Sequence, residues 1–357
     1  MPGPDAAMVA SIIINNYNYG RYLGAAVDSA LGQTYAAVEV IVVDDGSTDD
    51  SQAVMQAYGT SIKALYQRNT GQAAAFNLGF ACSKGDVVIF LDADDVLLPE
   101  MAEKAVEALG QQPHAAKVMV RMAVIDEQGR PTGEQKPAEH LPLLDGDLRR
   151  HIVAFPSDIP WMPTSANAFK ADVLRQIMPV PAEYGRVGAD WYVAQVTPLF
   201  GSVIFLDWVG AQYRVHGQNN YEQAGGTLDM RQLRQTIHYA RCTHRHVQRY
   251  AAQLGLRPPG VESEDMSVAA LANRFISLKL APADHPYGGD SISRLLWLGI
   301  KASLRRFDVA WPMRLLFTGW FTALACTPGP LARPVAEVFL YPQQRRALNR
   351  VLERLHR

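Results

Sequence analysis

Short apolar runs alternate with amphipathic segments of helical length over the first 110 residues of the chain. The runs are rich in Val, Ile and Leu, which is typical of strands buried on both faces. The predicted strands are residues 9–14, 38–43, 62–66 and 86–91. The predicted helices between them are residues 21–31, 50–58 and 72–82. This alternation predicts an α/β fold with a Rossmann-like, mostly parallel sheet flanked by helices.

The pattern changes further along the chain. Residues 126–147 are polar and contain several Gly and Pro residues, so we interpret them as a connecting loop. From about residue 226, apolar residues recur at helical spacing. We therefore predict an α/β domain over residues 1–225 and a mainly helical C-terminal region over residues 226–357.

Composition narrows the class of protein. Of the 357 residues, 48% are apolar and 19% are charged, as in an ordinary folded protein. The net charge of -1 gives no electrostatic reason to expect a nucleic-acid partner. Cys82, Cys242 and Cys326 resemble neither a zinc site nor a disulfide framework, and they suit a reducing compartment. The N-terminus lacks the basic and apolar segments of a signal peptide, so we expect a cytoplasmic protein.

Positive charge is concentrated at the C-terminus. Residues 291–357 contain eleven Lys and Arg against three Asp and Glu, a net charge of +8 that leaves -9 for the rest. The uncharged stretch 315–327 is shorter than the roughly 20 residues of a membrane-spanning helix. Two interpretations remain open. The tail lies peripherally on the anionic inner face of a membrane, or it packs on the α/β domain or on a second subunit of a homo-oligomer.

A cluster of carboxylates follows the fourth predicted strand. Asp92, Asp94 and Asp95 come directly after the apolar run 87–91. Like charges so close together repel and are costly to desolvate unless a cation lies among them. A Mg²⁺ or Mn²⁺ ion that carries substrate phosphates is the usual reason for such a cluster. The cluster therefore predicts chemistry on a phosphate-bearing ligand.

A second acidic motif follows the second predicted strand. Asp44 and Asp45 precede Gly46, which permits a turn, and residues 47–49, which can cap the next helix. A plain capped turn explains this motif as well as a functional role does. In the functional interpretation, Asp44 or Asp45 accepts a hydrogen bond from a nucleotide base such as uracil. Small residues in the next loop, 67–73, would let a ligand approach a helix N-terminus.

Six segments in series resemble the pattern of family 2 glycosyltransferases with the GT-A fold. They cover residues 9 to about 100 in the order and spacing of that family. The segments are 11–18 (SIIINNYN), 29–35 (SALGQTY), 39–49 (EVIVVDDGSTD), 69–79 (NTGQAAAFNLG), 84–86 (KGD) and 90–95 (FLDADD). Asn15 and Asn16 depart from the Pro-Thr that many members carry before the Tyr-Asn pair.

The resemblance implies a donor site for a nucleoside diphosphate sugar, with UDP as the expected nucleotide, in a nucleotide-binding half of about residues 1–110. The residues that it places around the nucleotide and donor are Tyr17, Asp44, Asp45, Arg68, Asn77, Asp92 and Arg214. A divalent cation, Mn²⁺ or Mg²⁺, would be held by Asp94, His216 and Asp92, and Asp92 could instead contact the ribose. For Asp95, we expect the cap of a helix that begins near Pro99.

The resemblance also implies a catalytic base, in an acceptor half of about residues 111–225. Residues 188–192 resemble the family's Glu-Asp or Asp-Asp site, with Ala189 in place of the first acid. Asp190 would take the proton of an acceptor hydroxyl as that hydroxyl attacks the anomeric carbon, and one such displacement inverts the anomeric configuration. The structural alternative is that Asp190 caps a helix over residues 191–196, and the two roles are compatible.

Residues 160–169 resemble the family segment that lines the acceptor side of the sugar site. The expected acceptor and sugar contacts are Trp161, Thr164, Ser165 and Trp191. Trp161 offers a large face for stacking on a sugar, although a core position fits it nearly as well. The implied acceptor is a growing glycan or its lipid-linked precursor in cell-surface polysaccharide synthesis.

Two other functions fit parts of the sequence. A sugar nucleotidyltransferase would carry a Gly-rich, basic loop after the first strand, and residues 15–20 lack one. A non-catalytic nucleotide-sugar-binding protein is compatible with Ala189, but it would not need both Asp190 and His216. The sequence therefore favours a metal-dependent, inverting glycosyltransferase.

Overall fold

The computed structural model describes residues 7–137, 143–159, 162–217, 219, 228–256 and 265–340. The chain divides into two compact units. Unit 1 comprises Met1–Arg149 and Pro160–Asn220, and unit 2 comprises Arg150–Ile159 and Tyr221–Arg357. The expected boundary near residue 225 lies outside the described residues. Residues 150–159, which we expected in the first domain, group with unit 2.

Unit 1 is built on one sheet, which has nine strands among the described residues. The strands are β1 (Ala10–Asn16), β2 (Val38–Asp44), β3 (Lys63–Tyr66), β4 (Val87–Asp92), β5 (Val96–Leu97), β6 (Ala115–Ile125), β7 (Pro131–Lys136), β8 (Asn167–Lys170) and β9 (Ser202–Arg214). Their order across the sheet is β3-β2-β1-β4-β8-β6-β9-β5, and β7 pairs with β6.

The first four strands confirm the predicted parallel sheet. β1 pairs in parallel with β2 and β4, and β2 pairs in parallel with β3. β8 runs antiparallel between β4 and β6, whereas β6 and β9 are again parallel. The carboxyl ends of β1, β2 and β4 therefore meet at one edge, where ligands of such sheets bind.

The helices up to residue 196 are α1 (Gly20–Leu31), α2 (Ser51–Ala57), α3 (Gln72–Cys82), α4 (Met101–Gln111), α5 (Arg149–Ala154), α6 (Ala171–Ile177) and α7 (Ala189–Val196). The first three match the predicted helices to within one residue, and most of α5 belongs to unit 2. α3 lies very close to β1, because a Cβ atom at Gly79 would come within 2.4 Å of Ile13 Cγ2. Only glycine allows this approach.

The polar segment 126–147 contains a strand, which corrects our interpretation of it as a loop. β7 pairs with β6 in the antiparallel direction. In the turn between them, Asp126 Oδ1 accepts the N–H groups of Gln128 and Arg130, and Gly129 has a φ of +82°. β7 lies at the side of the sheet and its residues are mostly exposed. It therefore lacks the alternating apolar residues from which a strand is predicted.

Unit 2 is helical, as predicted. Beyond α5 its helices are α8 (Met230–Gln253), α9 (Val268–Leu280), α10 (Ile292–Arg305), α11 (Trp311–Cys326) and α12 (Ala332–Leu340). Leu271, Phe275, Leu295 and Phe321 are among its fully buried core residues. Within the described part of the chain, no helix has both the length and the apolar character that crossing a bilayer requires.

Asp158 joins residues 150–159 to the later helices of unit 2. Its carboxylate accepts the N–H groups of Val268 and Ala269, each at 2.8 Å, at the start of α9. It also forms an ion pair with Arg306 at 2.8 Å. The unsatisfied N–H groups of a helix N-terminus favour a carboxylate. These contacts explain why the segment groups with helices that lie about 110 residues further along the chain.

Candidate active site

The acidic segment begins where β1 and β4 end side by side. Asn15 is the register partner of Asp92, and Asn15 Nδ2 donates to Asp92 Oδ1 at 3.0 Å. Gln72 Nε2, at the start of α3, donates to the same oxygen at 3.5 Å. Burial, followed by the charge of Asp94, nevertheless raises the pKa of Asp92 to about 6. Asp94 therefore lies close enough for its charge to disfavour the ionised form of Asp92.

Asp94 is in contact with His216. Its Oδ2 lies 2.9 Å from Nε2 of His216, and the imidazole is fully buried. The two residues meet because β5, which follows Asp94, pairs with the end of β9. The rings of Tyr19 and Tyr22 lie 5.5 and 5.2 Å from the imidazole. The structure thus brings together two residues that are 122 positions apart in the chain.

Asp95 is not a helix cap, so that expectation was wrong. The N-cap of α4 is Glu100, and Asp95 is buried. Its carboxylate accepts the hydroxyl of Ser165 at 2.7 Å and the N–H of Arg214 at 3.1 Å. Burial and the charge of Asp94 raise the pKa of Asp95 well above its ordinary value. Asp95 therefore ties the acidic segment to two distant parts of unit 1.

Asp190 lies within the first turn of α7, which begins at Ala189 and not at residue 191. It is therefore a helical residue and not the cap of that helix. Its Oδ1 accepts the N–H of Trp191 at 2.7 Å, and its Oδ2 accepts the hydroxyl of Thr164 at 3.3 Å. Burial, followed by the charge of Asp92, raises the pKa of Asp190 to about 7. A carboxylate with this pKa can both hold and release a proton near neutral pH.

Three residues that the sequence analysis did not select complete this region. Gln72 Oε1 accepts the first N–H of α7 at 3.2 Å, so one side chain reaches both acidic parts of the site. Burial raises the pKa of Tyr19, and the charges of Asp94 and Asp92 add to the effect, which places its hydroxyl near them. Asn15 Oδ1 is buried and has no hydrogen-bond partner in the described structure. The register of β1 on β4 was the signal that could have identified Asn15.

The second acidic motif holds loops together. Asp44 is fully buried, and its carboxylate accepts Asn16 Nδ2 at 2.9 Å and the N–H of Ser47 at 3.2 Å. Asp45 accepts the N–H groups of residues 70–71 at 2.8 and 2.7 Å. These contacts are those of a structured turn, which was one of the two interpretations of the motif. A contact of either carboxylate with a nucleotide base stays a prediction.

Other expected ligand contacts differ in their accessibility. Tyr17 is 40% exposed and Arg68 is exposed, so both side chains are open to a ligand. Trp191 is half-buried in the first turn of α7. Trp161 lies outside the described residues.

Asn77 and Arg214 have structural contacts where we expected ligand contacts. The amide of Asn77 donates to the carbonyl of Val180 at 3.0 Å and accepts its N–H at 2.7 Å, so both ends of the amide are engaged. Arg214 is buried, and its Nε donates to the carbonyl of Asp94 at 2.8 Å. Its Nη1 donates to the carbonyls of residues 126–127, both at 3.4 Å. Arg214 therefore positions the acidic segment from behind, and Asn77 fastens α3.

Thr164 and Ser165, which we expected to contact the acceptor, make structural contacts, and a contact with the acceptor stays a prediction. They are only 4% and 0% exposed, because both belong to the buried turn before β8. Thr164 holds Asp190, as described above, and Ser165 Oγ accepts the N–H of Asp92 at 3.2 Å while it donates to Asp95. One turn of the chain therefore holds the carboxylates of Asp190 and Asp95 and the backbone of Asp92.

The donor atoms of the acidic segment suit a hard divalent cation. Asp92 and Asp94 supply carboxylate oxygens, and Asn15 supplies the buried amide oxygen that lacks a partner. In the described ranges, no three His, Cys, Asp or Glu side chains form a metal cage, so the expected triad with His216 is not assembled. These residues fit a cation of the kind that takes some of its ligands from substrate phosphates.

Comparison with known proteins identifies relatives of the chain. The model of glycosyl transferase family 2 matches residues 11–176. An uncharacterized glycosyltransferase of Nostoc sp. (strain PCC 7120) is 38% identical over 221 residues, which are 61% of this chain and 68% of that protein. Glycosyltransferase GlyG of Streptococcus pneumoniae is 39% identical over 97 residues, 26% of this chain and 32% of that protein. The chain thus spans about two thirds of the first relative and about a third of the second.

The fold has relatives among solved structures. The structure of residues 1–349 of S. aureus TarS in complex with UDP has a TM-score of 0.52 and 15% identity, over 93% of this chain and 91% of that one. At this identity the likeness shows the fold. The similarity to the Nostoc protein and to the family model, in contrast, is a similarity of sequence. The chain therefore belongs to glycosyl transferase family 2 and is a glycosyltransferase with the GT-A fold.

Proposed function

We propose that the protein is a metal-dependent, inverting glycosyltransferase that moves a sugar from a UDP-sugar to a hydroxyl group of a glycan or lipid-linked acceptor. The single observation that carries the proposal is the position of Asp190. Gln72 joins the two parts of the site, because its Nε2 donates to Asp92 and its Oε1 accepts the first N–H of α7, the helix that carries Asp190. Burial and the charge of Asp92 raise the pKa of Asp190 to about 7. A proton acceptor and a site for a phosphate-bound cation are thus side by side.

Asp94, Asp92 and Asn15 would hold the cation through their oxygen atoms. When bound, the cation neutralises the charge on the departing diphosphate. His216 orients the Asp94 carboxylate through its contact at 2.9 Å, and Arg214 holds the backbone of the same residue. The rings of Tyr19 and Tyr22 lie beside the fully buried imidazole of His216. The chain itself contributes oxygen ligands whose positions are fixed before the substrate binds.

Asp190 acts as the base. Its carboxylate takes the proton from the acceptor hydroxyl while that oxygen forms a bond to the anomeric carbon. The bond from the anomeric carbon to the diphosphate breaks at the same time, and its electron pair leaves with the nucleotide. Thr164 and the N–H of Trp191 orient the two carboxylate oxygens. Because attack and departure occur on opposite faces of the carbon, the anomeric configuration inverts.

The nucleotide would lie against the carboxyl ends of β1, β2 and β3, at Tyr17, residues 44–45 and Arg68. Tyr17 and Arg68 are exposed there, and Asp44 and Asp45 hold the loops in place. The choice of UDP is supported by TarS, whose solved structures contain UDP and UDP-GlcNAc. We place the reaction in the cytoplasm, in the synthesis of a cell-surface polysaccharide.

Thermal-shift titration tests the donor side. UDP, GDP, dTDP and CDP are each added with and without Mn²⁺. We expect a rise in melting temperature with UDP that requires the metal. The variant Asp94→Ala should lose most of this rise, whereas Asp50→Asn, an exposed acidic position, should keep it. No shift with any nucleotide, or an equal shift without metal, would contradict the proposed donor site.

A further inference from the structure

Helices α10 and α11 of unit 2 expose several large apolar side chains. Trp297 is 58% exposed, Trp311 and Leu315 are each 60% exposed, and Leu304 is 40% exposed. The opposite faces of both helices pack into the core of unit 2. Exposed apolar area is unfavourable in water, at about 25 cal/mol per Å². Clusters of such residues therefore mark surfaces that contact something else.

Basic side chains lie among these apolar residues. Lys301 Nζ is 4.6 Å from the centre of the Trp297 ring, and Arg314 Cζ is 5.3 Å from that of Trp311. Arg314 Nη1 also donates to the carbonyl of Leu304 at 3.3 Å, which joins the end of α10 to the start of α11. Neither helix contains an Asp or Glu residue. The α10–α11 surface consists of Trp297, Lys301, Leu304, Arg305, Trp311, Arg314 and Leu315.

This combination distinguishes between partners. The centre of a protein interface is depleted in charged residues, Lys especially, so a second copy of the chain is a poor match. In the headgroup layer of a bilayer, an indole ring sits between water and acyl chains, while Lys and Arg extend to the phosphates. Anionic lipids also complement two helices that carry only positive charge, since Asp308 in the turn between them is paired with Arg306.

We propose that the α10–α11 surface binds the headgroup layer of a membrane that contains anionic phospholipid. The two tryptophans enter the boundary between headgroups and acyl chains, and Lys301, Arg305 and Arg314 contact the lipid phosphates. The protein is thereby held at the membrane surface without a spanning segment. This proposal does not depend on the transfer reaction, because binding is measured without a sugar donor.

Flotation of the full-length protein with vesicles tests the proposal. The vesicles are phosphatidylcholine alone or phosphatidylcholine mixed with phosphatidylglycerol. We expect the protein to float with the anionic vesicles only, and less at high salt. The double variant Trp297→Gln/Trp311→Gln should bind more weakly by about tenfold per tryptophan. The double variant Lys301→Gln/Arg305→Gln should lose about fivefold per charge.

A matched control removes the same charge elsewhere in unit 2. Arg241 and Arg249 are exposed on α8, and Arg241→Gln/Arg249→Gln should bind vesicles as the wild type does. The replaced side chains are exposed, apart from the half-buried Lys301, so the melting temperatures and UDP-induced thermal shifts of the variants should match those of the wild type. If the wild-type protein binds UDP normally but does not float with anionic vesicles, this proposal is wrong and the proposed function is unaffected.

Two further results would overturn the proposal. The first is a control variant as weak as Lys301→Gln/Arg305→Gln, because binding would then follow total charge. The second is self-association that the tryptophan variant abolishes in the absence of vesicle binding, which would make the surface an interface between copies.

Discussion

One acidic motif, Asp44–Asp45, lies at the end of β2, and another, Asp92–Asp95, lies at the end of β4 in the same sheet. The two motifs differ in what their carboxylates contact. Asp45, after β2, accepts hydrogen bonds from Gln67 Nε2 and two backbone N–H groups at 2.7–2.8 Å. Asp92, at the end of β4, receives side-chain donors at 3.0 and 3.5 Å, and burial with the charge of Asp94 still raises its pKa to about 6. Similar sequence patterns therefore serve different ends. The motif after β2 stabilises loops. In the motif after β4, burial and a neighbouring charge disfavour the ionised form of Asp92, and a bound cation would stabilise that form.

The largest expected effect belongs to Asp190, whose pKa is raised by burial and by the charge of Asp92, and not to a carboxylate that holds loops, such as Asp45. Asp190→Asn removes the base but keeps the shape of the side chain. We expect transfer activity to fall about a thousandfold, within the usual range for a general base. Binding of UDP with Mn²⁺ should change little. Steady-state transfer rates and thermal shift measure the two quantities.

The matched variant for this test is Asp50→Asn, which changes an exposed carboxylate at the start of α2. It should retain wild-type activity. If Asp190→Asn were also fully active, the assignment of the base would be wrong.

Asp45→Asn tests the structural side of the comparison. An asparagine offers one acceptor oxygen where the carboxylate accepts hydrogen bonds on both of its oxygens. We expect a loss of about 2–3 kcal/mol in the free energy of unfolding, because charge-assisted hydrogen bonds are replaced by weaker ones. Urea denaturation measures it, and Asp50→Asn should stay within about 0.5 kcal/mol of the wild type. Normal stability combined with lost UDP binding would instead assign Asp45 to the ligand.

The pH dependence of transfer gives a smaller but specific effect. Asp190 has a pKa of about 7, above its ordinary value of 3.8, and only its ionised form can take a proton. Activity should therefore decrease below pH 7, by about tenfold per pH unit. A profile of kcat/KM against pH measures this limb. A flat profile from about pH 5 to 8 would contradict it.

The same pKa predicts the smallest effect, on stability. Because the folded pKa of Asp190 is above the unfolded value, the folded state binds more protons between about pH 4 and 7. The contribution of Asp190 to stability is therefore present at low pH and is lost as pH rises through that window. Asp190→Asn should reduce this slope in melting temperature against pH, whereas Asp50→Asn should leave it unchanged.

The sequence predicted those parts of the fold that have a local signal. β1–β4 and α1–α3 follow from uninterrupted apolar runs and helical spacing, and their bounds agree to within two residues. β7 was missed because its exposed residues carry no apolar alternation. Family resemblance selected Asp92, Asp94 and Asp190, and the structure places Asp92 near each of the other two.

The contacts that sequence reasoning missed or misassigned have partners far along the chain. Asp95 was interpreted from the nearby Pro99, but its donor is Ser165, 70 positions away. Asn77 binds the backbone of residue 180, and Arg214 binds that of residue 94. Tyr19 and Gln72 enter the site because of tertiary packing alone. No pattern within a short window contains this information.

The interleaving of the two units constrains how the protein can evolve. Residues 150–159 lie between β7 and β8 in the chain, yet Asp158 binds the start of α9. A single recombination event after β9 would bring in foreign helices and keep the old segment. The N-terminal N–H groups of the imported equivalent of α9 would then face a segment 150–159 that had not evolved with that helix. Exchange of the helical unit between relatives therefore requires two coordinated crossovers, so the two pieces should be inherited together.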